Sequence, residues 1–468
     1  MSLRPAASAG ASAAGGRLLV LVLAGCGTPS PRQGPPGRAA PADTAPPSDT
    51  APAPDTAPAP DTADTAADTG AVDPPPPAPY NGCRTPTGLR APATFAAPQD
   101  IAALPFTDTA TTAGAPAGAV DAYDCAPATG EAGPERWYRF TLAEAREVRV
   151  EVADGPGVDL DVHLLQGPVI DGALARGCLA RDDRRIVRTL AAGTYWVAVD
   201  TYSTASGEDF PGDFTLGVEG WVDGAWEDIP LDPGLTWSHF QQAGADATRI
   251  DLLRIDPTRV ALRPAFDAGC APVPALAAAA DARVGVNASF YTSSCVPRSF
   301  LRIDGETRAT PDLGSRQRVA LWDEGASPTY RWLDAGADDT SATHGIGSYP
   351  ALVQGGVADV DPLGDSDFFR GRHPRTAFGS FADGTVGWVV VDGRSSTARG
   401  IALPAFAELL VGRGMVEALN LDGGGSSTLF IAGCSVTGVV NFPSDGGGDG
   451  HDGARSVADA VVGRVPSP

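Results

Sequence analysis

A chain of 468 residues is longer than one ordinary hydrophobic core requires, so two or three folded units are expected. Aspartate and glutamate total 57 against 34 basic residues, all of them arginine, for a formal net charge of −23. A balance this acidic excludes nucleic acid as the partner, because binding a phosphate backbone needs a basic face.

The first 26 residues hold Arg4 and Arg17, then LLVLVLAG, then Cys26. The apolar run is too short to span a bilayer and predicts a secretory signal. LAGC resembles the bacterial lipobox, in which the cysteine becomes the lipidated first residue of the mature protein. That resemblance implies a lipoprotein signal peptide over residues 1–26 and lipid attachment at Cys26. Gly27, rather than an aspartate, follows the cysteine and favours the outer membrane or cell surface. A plain cleaved signal with a secreted or periplasmic product is the alternative.

Residues 27–79 are almost entirely Pro, Ala, Thr and Asp, with TAPAPDTAPAPDTADTAADTG at their centre. Low hydrophobicity, prolines and like charge predict a disordered, extended linker. Apart from Cys26, the cysteines are Cys83, Cys125, Cys178, Cys270, Cys295 and Cys434, an even number for an oxidising compartment. Their spacing favours Cys125 with Cys178 and Cys270 with Cys295. Cys83 and Cys434 stay unassigned, and no CxxC or His-Cys cluster indicates zinc.

From residue 80 to 222 short alternating runs are parted by Gly, Asp and Pro, which predicts an antiparallel β-sandwich. Expected strands are Trp137 to Leu142, Val148 to Val152, Leu160 to Leu165, Thr194 to Asp200 and Phe214 to Val218. TYWVAVDTY is apolar on both faces, as an inner strand would be. GPERWYRF, VDLDVHLL, GCLARDD, LAAGTYWVAVDTY and GDFTL together resemble the bacterial pre-peptidase C-terminal-like domain, a β-sandwich appended to secreted enzymes. Asp159, Asp161, Asp182, Asp183 and Asp200 offer the hard oxygen ligands calcium takes, although aspartates in such places more often form turns. No other metal or cofactor is expected, and His163 reads as structural.

Residues 228–466 read as an α+β domain with a mixed β-sheet and few helices. PALAAAADA from Pro274 and LPAFAELLVGRG from Leu403 are its helices, each with proline in the first turn. VGVNASFY places Asn287 and Phe290 at the end of a buried strand. Arg370, Arg372, His373 and Arg375 concentrate positive charge just before a hairpin that turns at Asp383-Gly384. Four basic groups so close need compensation, either a ligand phosphate or a structural salt bridge. WVVVDGRSS ends a strand in Asp392 and Arg394. In EALNLDGGGSSTLF, Asp422 ends an apolar run beside Gly423, Gly424, Gly425, Ser426 and Ser427. The glycines permit close approach of a ligand, and successive amides there can hold an anion, whereas the plain alternative is a hairpin turn. NFPSDGGGDGHDG, residues 441–453, predicts a mobile loop at the rim of a site, with His451 a spectator, before Arg455 and the strand SVADAVVG.

NASFY, YPALVQGG, RHPRTAFG, VVVDGRSS, a helix, ALNLDGGGSS and an Arg-Ser-Val strand, in that order, resemble the phosphodiester glycosidase family. The resemblance implies a hydrolase that cuts the glycosidic bond of a sugar-phosphate diester of the α-N-acetylglucosaminyl type. The expected substrate is a carbohydrate phosphodiester on an exopolysaccharide or envelope glycopolymer. Such chemistry needs cations and amides for the diester, a carboxyl group, and a sugar pocket. Arg375 and Arg394 become the phosphate clamp, with Gly423, Gly424, Gly425, Ser426 and Ser427 adding amides and hydroxyls. Asp392 and Asp422 become candidate acid and base. Asn287, Phe290 and His373 become sugar contacts, and Arg455 a further anion group. Ala288 and Ser289 stand where relatives often carry glycine. Two other classes stay open: a non-catalytic surface lipoprotein that binds glycan, and a metal-dependent phosphodiesterase. The absence of a His and Asp ligand cluster weighs against the latter.

Overall fold

The computed structural model describes residues 83, 93–115, 120–314, 316–359 and 366–465, all within one compact unit, Pro75–Pro468. The expected signal segment, Cys26 and the linker lie outside the described residues.

The β-sandwich forms as its alternation requires. One sheet runs Gln99–Asp100, Glu135–Leu142, Gly193–Thr201, Leu160–Asp171, Leu174–Asp182, Ala122–Tyr123, and the other Phe106–Thr111, Asp213–Trp221, Arg146–Asp154, Arg185–Leu190. Between them lie Tyr138, Phe140, Val148, Val150, Leu160, Val162, Leu164, Val197, Val199, Leu216 and Val218, all buried. Gly193–Thr201 is an inner strand, flanked by Glu135–Leu142 and Leu160–Asp171; Tyr195, Val197 and Val199 pack into the core between the sheets, and Ala198 and Trp196 into a second cluster with Tyr123 and Trp137.

The remaining chain builds three further sheets. The largest has the order Trp226–Asp232, Leu235–Gln242, Thr248–Ile255, Val386–Val391, Arg375–Phe381, Met415–Asn420, Ala351–Gln354, Val357–Ala358. A four-stranded sheet runs Ala261–Pro272, Ser456–Arg464, Val284–Asn287, Leu429–Ile431, and a five-stranded sheet is centred on His344–Ser348. Every pairing between named strands here is antiparallel, narrower than the mixed sheet expected. The two parallel pairings are short ones in the sandwich.

Sequence pattern explains why the large sheet is central. Phe378, Trp388 and Val390 face a core shared with the other two sheets. Their neighbours Ala377, Val389 and Val391 face Leu403, Phe406 and Leu410 of the helix Leu403–Gly412. Burial on both faces accounts for the unbroken apolar run WVVV. The second helix, Val273–Ala279, has proline in its first turn and packs Leu276 and Ala277 against Val457 and Val462.

Disulfides join Cys125 to Cys178, Cys270 to Cys295, and the unassigned pair Cys83 to Cys434. Three such bonds belong to an oxidising, extracellular or periplasmic setting. No helix among the described residues is long and apolar enough to cross a membrane.

Sandwich and large sheet meet through polar contacts. Phe442 lies between the guanidinium groups of Arg149, 4.2 Å from its ring centroid, and Arg249, 3.7 Å away. Arg249 also bonds Glu219 at 3.3 Å, and Glu219 in turn meets His451. Burial alone would raise the Glu219 carboxyl, but His451, Arg249 and Arg149 outweigh it and hold it well below the usual carboxylate range. The loop at 441–453 is therefore not a free rim: His451 is buried, its Nδ1 lies 3.3 Å from the Asn441 carbonyl, and Arg185 donates to the Asp449 carbonyl. A buried, partnered imidazole replaces the expected spectator.

Candidate active site

The site forms where the large sheet and the four-stranded sheet open apart. Arg375–Phe381 and Met415–Asn420 pair with Ala377 opposite Asn420, so the chain leaving Asn420 emerges beside Arg375. Leu421 N then bonds Thr376 O at 2.9 Å, Asp422 N bonds Ala288 O at 2.9 Å, and Gly424 N bonds Pro374 O at 2.9 Å. The glycine turn thus bridges the ends of two sheets. Asn287 locks it from below: Nδ2 donates to Asp422 O at 2.6 Å, and Oδ1 accepts from Thr376 Oγ1 at 3.1 Å and Thr428 N at 3.0 Å. Asn287 is wholly buried, so it positions the turn instead of touching sugar.

The cavity above this turn has a volume of about 340 Å³, and Phe290, His373, Arg375, Arg394, Asp422, Gly423, Gly424, Gly425 and Arg455 line it. Asp367, Phe368 and Asn420 complete the lining. All three glycines have a steric reason: a Cβ on Gly423 would stand 2.7 Å from the Pro374 carbonyl oxygen. Gly424 has φ +61°, and a Cβ on it would stand 3.1 Å from the Arg394 guanidinium. A Cβ on Gly425 would collide with Arg455 and Asp445.

Asp422 is a buried carboxyl group in the cavity wall, and the Gly423 amide donates to it. Ser426 Oγ donates to its Oδ2 at 2.6 Å. Burial pushes the carboxyl up to about 6, against the opposing pull of Ser426 and Arg455. Behind it lies Asp459, which accepts from Ser289 N at 2.9 Å and Ser289 Oγ at 2.7 Å, and which burial also raises to about 6.

Of the two partners weighed for the cluster, a ligand phosphate or a structural salt bridge, Arg375 makes no salt bridge among the described residues and is held by carbonyl oxygens. Its Nε donates to Ile401 O at 3.1 Å, and Nη2 donates to Phe368 O at 2.7 Å and Gly371 O at 3.1 Å. Nη1 takes no acceptor among the described residues. Burial, then the like charge of Arg394, push Arg375 down to about 10, which leaves it protonated at neutral pH. Arg394 is exposed, in the left-handed region at φ +65°, with no ion pair among the described residues. Arg455 forms a two-pronged pair with Asp445, Nε 2.7 Å from Oδ2 and Nη2 3.1 Å from Oδ1. His373 pairs with Asp367 at 3.0 Å, and Arg372 turns away to Asp246 at 3.1 Å.

Several sequence expectations change. Asp392 does not line the cavity: it is buried beneath it, where Oδ1 accepts from Asn441 Nδ2 at 2.9 Å and Oδ2 from Phe442 N at 2.9 Å. Burial, then Asp251, raise it to about 7 despite Arg249 nearby. An acid walled off by the loop at 441–442 holds that loop in place. The Gly423 amide donates to the Asp422 carboxylate, and those of Gly424, Ser426 and Ser427 are taken by Pro374 O, Gly423 O and Gly424 O, so Gly425 N is the amide of the turn with no acceptor among the described residues. Ser426 and Ser427 are buried, the former holding Asp422 and the latter accepting from Thr376 Oγ1 at 3.1 Å. Sequence reasoning missed Asp367, Phe368 and Asn420. Phe368 was legible as an exposed aromatic beside the arginine cluster; Asp459 was legible as an acid inside the apolar strand SVADAVVG.

Residues 280–463 match the family model for phosphodiester glycosidase. An SPbeta prophage-derived uncharacterized protein of Bacillus subtilis (strain 168) is 40% identical over 75 residues, 16% of this chain and 11% of that protein. The zebrafish N-acetylglucosamine-1-phosphodiester alpha-N-acetylglucosaminidase catalytic domain, auto-inhibited by its pro-peptide, is 19% identical at a TM-score of 0.40, covering 51% of this chain and 81% of that one. The pre-peptidase C-terminal domain of a Bacillus anthracis collagenase is 16% identical at a TM-score of 0.17, covering 26% of this chain and 92% of that one.

Proposed function

With a phosphodiester glycosidase domain at residues 280–463, we propose that the cavity hydrolyses the glycosidic bond of a sugar-phosphate diester. The observation that carries this reading is a single cavity in which a carboxyl raised to about 6, Asp422, shares its walls with Arg375, Arg394 and Arg455. The diester anion sits against Arg394, the spare Nη1 of Arg375 and the Gly425 amide, where charge-assisted bonds are strongest. Phe290 and Phe368, with ring centroids 6.1 Å apart, offer apolar faces to a sugar ring. The Asp422 carboxylate takes a proton from water as that water attacks the anomeric carbon. The C1–O bond breaks, its electrons leave on the phosphate oxygen, and a sugar and a phosphomonoester result. Phosphate departs readily as an anion, so the arginines replace a strong general acid. The natural polymer is proposed to be an envelope glycopolymer or exopolysaccharide, met at the outer membrane or cell surface by a chain lipidated on Cys26.

The test uses the full-length chain and an α-GlcNAc phosphodiester in ¹⁸O-water, with and without chelator. Label in the released sugar supports the glycosidase, whereas label in phosphate means phosphorus–oxygen cleavage and overturns it. Binding without turnover across a donor panel means a silent glycan-binding site. Arg375→Lys should raise KM about tenfold with a smaller effect on kcat, since lysine cannot bond the carbonyls and still reach phosphate. An unchanged KM with a lowered melting temperature would make Arg375 structural only.

A further inference from the structure

The sandwich holds a buried polar cluster that the cavity chemistry does not use. Glu131, His163 and Asp200 each have 0% exposure, and one ligand atom from each lies within 4.8 Å of the others. His163 stands on Leu160–Asp171 and Asp200 on the adjacent Gly193–Thr201, while Glu131 comes from the segment before Glu135–Leu142. His163 Nε2 lies 3.6 Å from Glu131 Oε1, and Asp161 stands beside Glu131, but neither ring nitrogen of His163 and neither carboxylate oxygen of Glu131 reaches a partner with full hydrogen-bond geometry. Buried polar atoms are nearly always satisfied, so four orphans converging on one point need a ligand.

The surroundings fix the geometry of these groups. Tyr123 stacks on the His163 ring, with centroids 3.5 Å apart and planes 12° apart, and its hydroxyl donates to Asp200 Oδ2 at 2.6 Å. Thr201 N donates to Asp200 Oδ1 at 2.8 Å, and each oxygen keeps a second lone pair. Glu135, also buried, has an orphaned Oε2. Arg181 is the cation beside the cluster; it pairs with Asp161 and Asp183, and its Nε lies 3.7 Å from Glu131 Oε1. Glu131, Glu135 and Asp200 lie close enough to act on one another at near-complete burial.

We infer that Glu131, His163 and Asp200 form a structural site for a zinc-type divalent transition metal inside the sandwich. Two carboxylates and one neutral imidazole balance a dication and belong to the ligand types zinc accepts. Calcium is a poorer match, since it takes six to eight oxygen ligands. The aspartates weighed for calcium also scatter: Asp182 Oδ1 caps a turn at Arg184 and Arg185, Asp183 pairs with Arg181, and Asp159 is exposed. Cys125 and Cys178 approach His163 as well, but their sulfurs are bonded to each other and zinc binds thiolate. The metal would tie the segment at Glu131 to two inner strands.

Elemental analysis of the full-length protein, purified without a histidine tag and dialysed, should find about one zinc per chain. Stripping with a strong chelator should lower the melting temperature; zinc chloride should restore it and calcium chloride should not. Cobalt added to the stripped protein should give visible d–d absorption. Glu131→Gln and His163→Gln should each abolish stoichiometric uptake, and the wild-type measurements stand if a variant fails to fold. Wild type without metal above background and without a zinc-dependent melting shift would overturn the inference. Restoration by calcium instead, or zinc uptake only after disulfide reduction, would overturn it equally.

Discussion

Asp422→Asn should lower kcat/KM on an α-GlcNAc phosphodiester by about 10³-fold while the protein stays folded, the scale expected when a positioned acid-base group is lost. The substitution is nearly isosteric. Ser426 Oγ can still donate to the retained oxygen, Asn287 still holds the Asp422 carbonyl, and no new cavity opens. What disappears is the basic oxygen. Because burial raises this carboxyl to about 6, the wild-type rate should rise with pH through about 6 and then level, since the ionised form is the working one. The variant should lack that limb. The check is kcat/KM from pH 4.5 to 8 for both proteins. A near-wild-type rate in the variant removes Asp422 from the chemistry, and a wild-type rate that falls through pH 6 makes it an acid.

Asp392→Ala should cost about 3 kcal/mol of stability, the range for breaking a buried, charge-assisted network from one side. The loss leaves Asn441 Nδ2 and Phe442 N without their acceptor and removes a carboxylate 3.8 Å from Arg249. The pH dependence distinguishes this from a generic core defect. The folded-state value of about 7 lies above the ordinary carboxyl value near 4, so folded protein binds the extra proton between those limits. Its contribution is fully present below about pH 4 and is lost as pH rises through about 7. The alanine variant lacks this slope, so the stability gap should narrow from pH 4 to pH 8. Urea unfolding across that range measures it, and a constant gap would show that Asp392 does not titrate as placed.

The two aspartates also mark how far the sequence could be read. Both end an apolar strand, both stand next to glycine, and both lie within reach of an arginine, so local pattern gave them equal claims. What separates them is a packing event 50 residues downstream, the Phe442 amide capping Asp392. No local window contains that information. Strands such as Gly193–Thr201 and Val386–Val391 were legible because burial of both faces leaves an apolar run. The turn at Gly423 to Gly425 was legible because glycine is what a backbone needs where guanidinium groups crowd it. Assigning every amide of that turn to phosphate was not justified, since those of Gly424, Ser426 and Ser427 close the turn on itself and on Pro374. Asp367 was hidden because its relevance depends on where the four-residue helix Asp367–Arg370 is placed against His373.

The pairing of Glu219 with His451 bears on how this protein can be cut and recombined. Accessory β-sandwiches are commonly treated as interchangeable parts, moved between enzymes by joining at the connecting loop. Here the strand Asp213–Trp221 supplies the acid that holds His451, His451 anchors the loop that carries Asp445, and Asp445 orients Arg455 in the cavity. A chimera with a foreign sandwich would inherit the glycine turn intact and lose the bracket on one wall of its pocket. The exchangeable unit is the pair of folds together with the face between them.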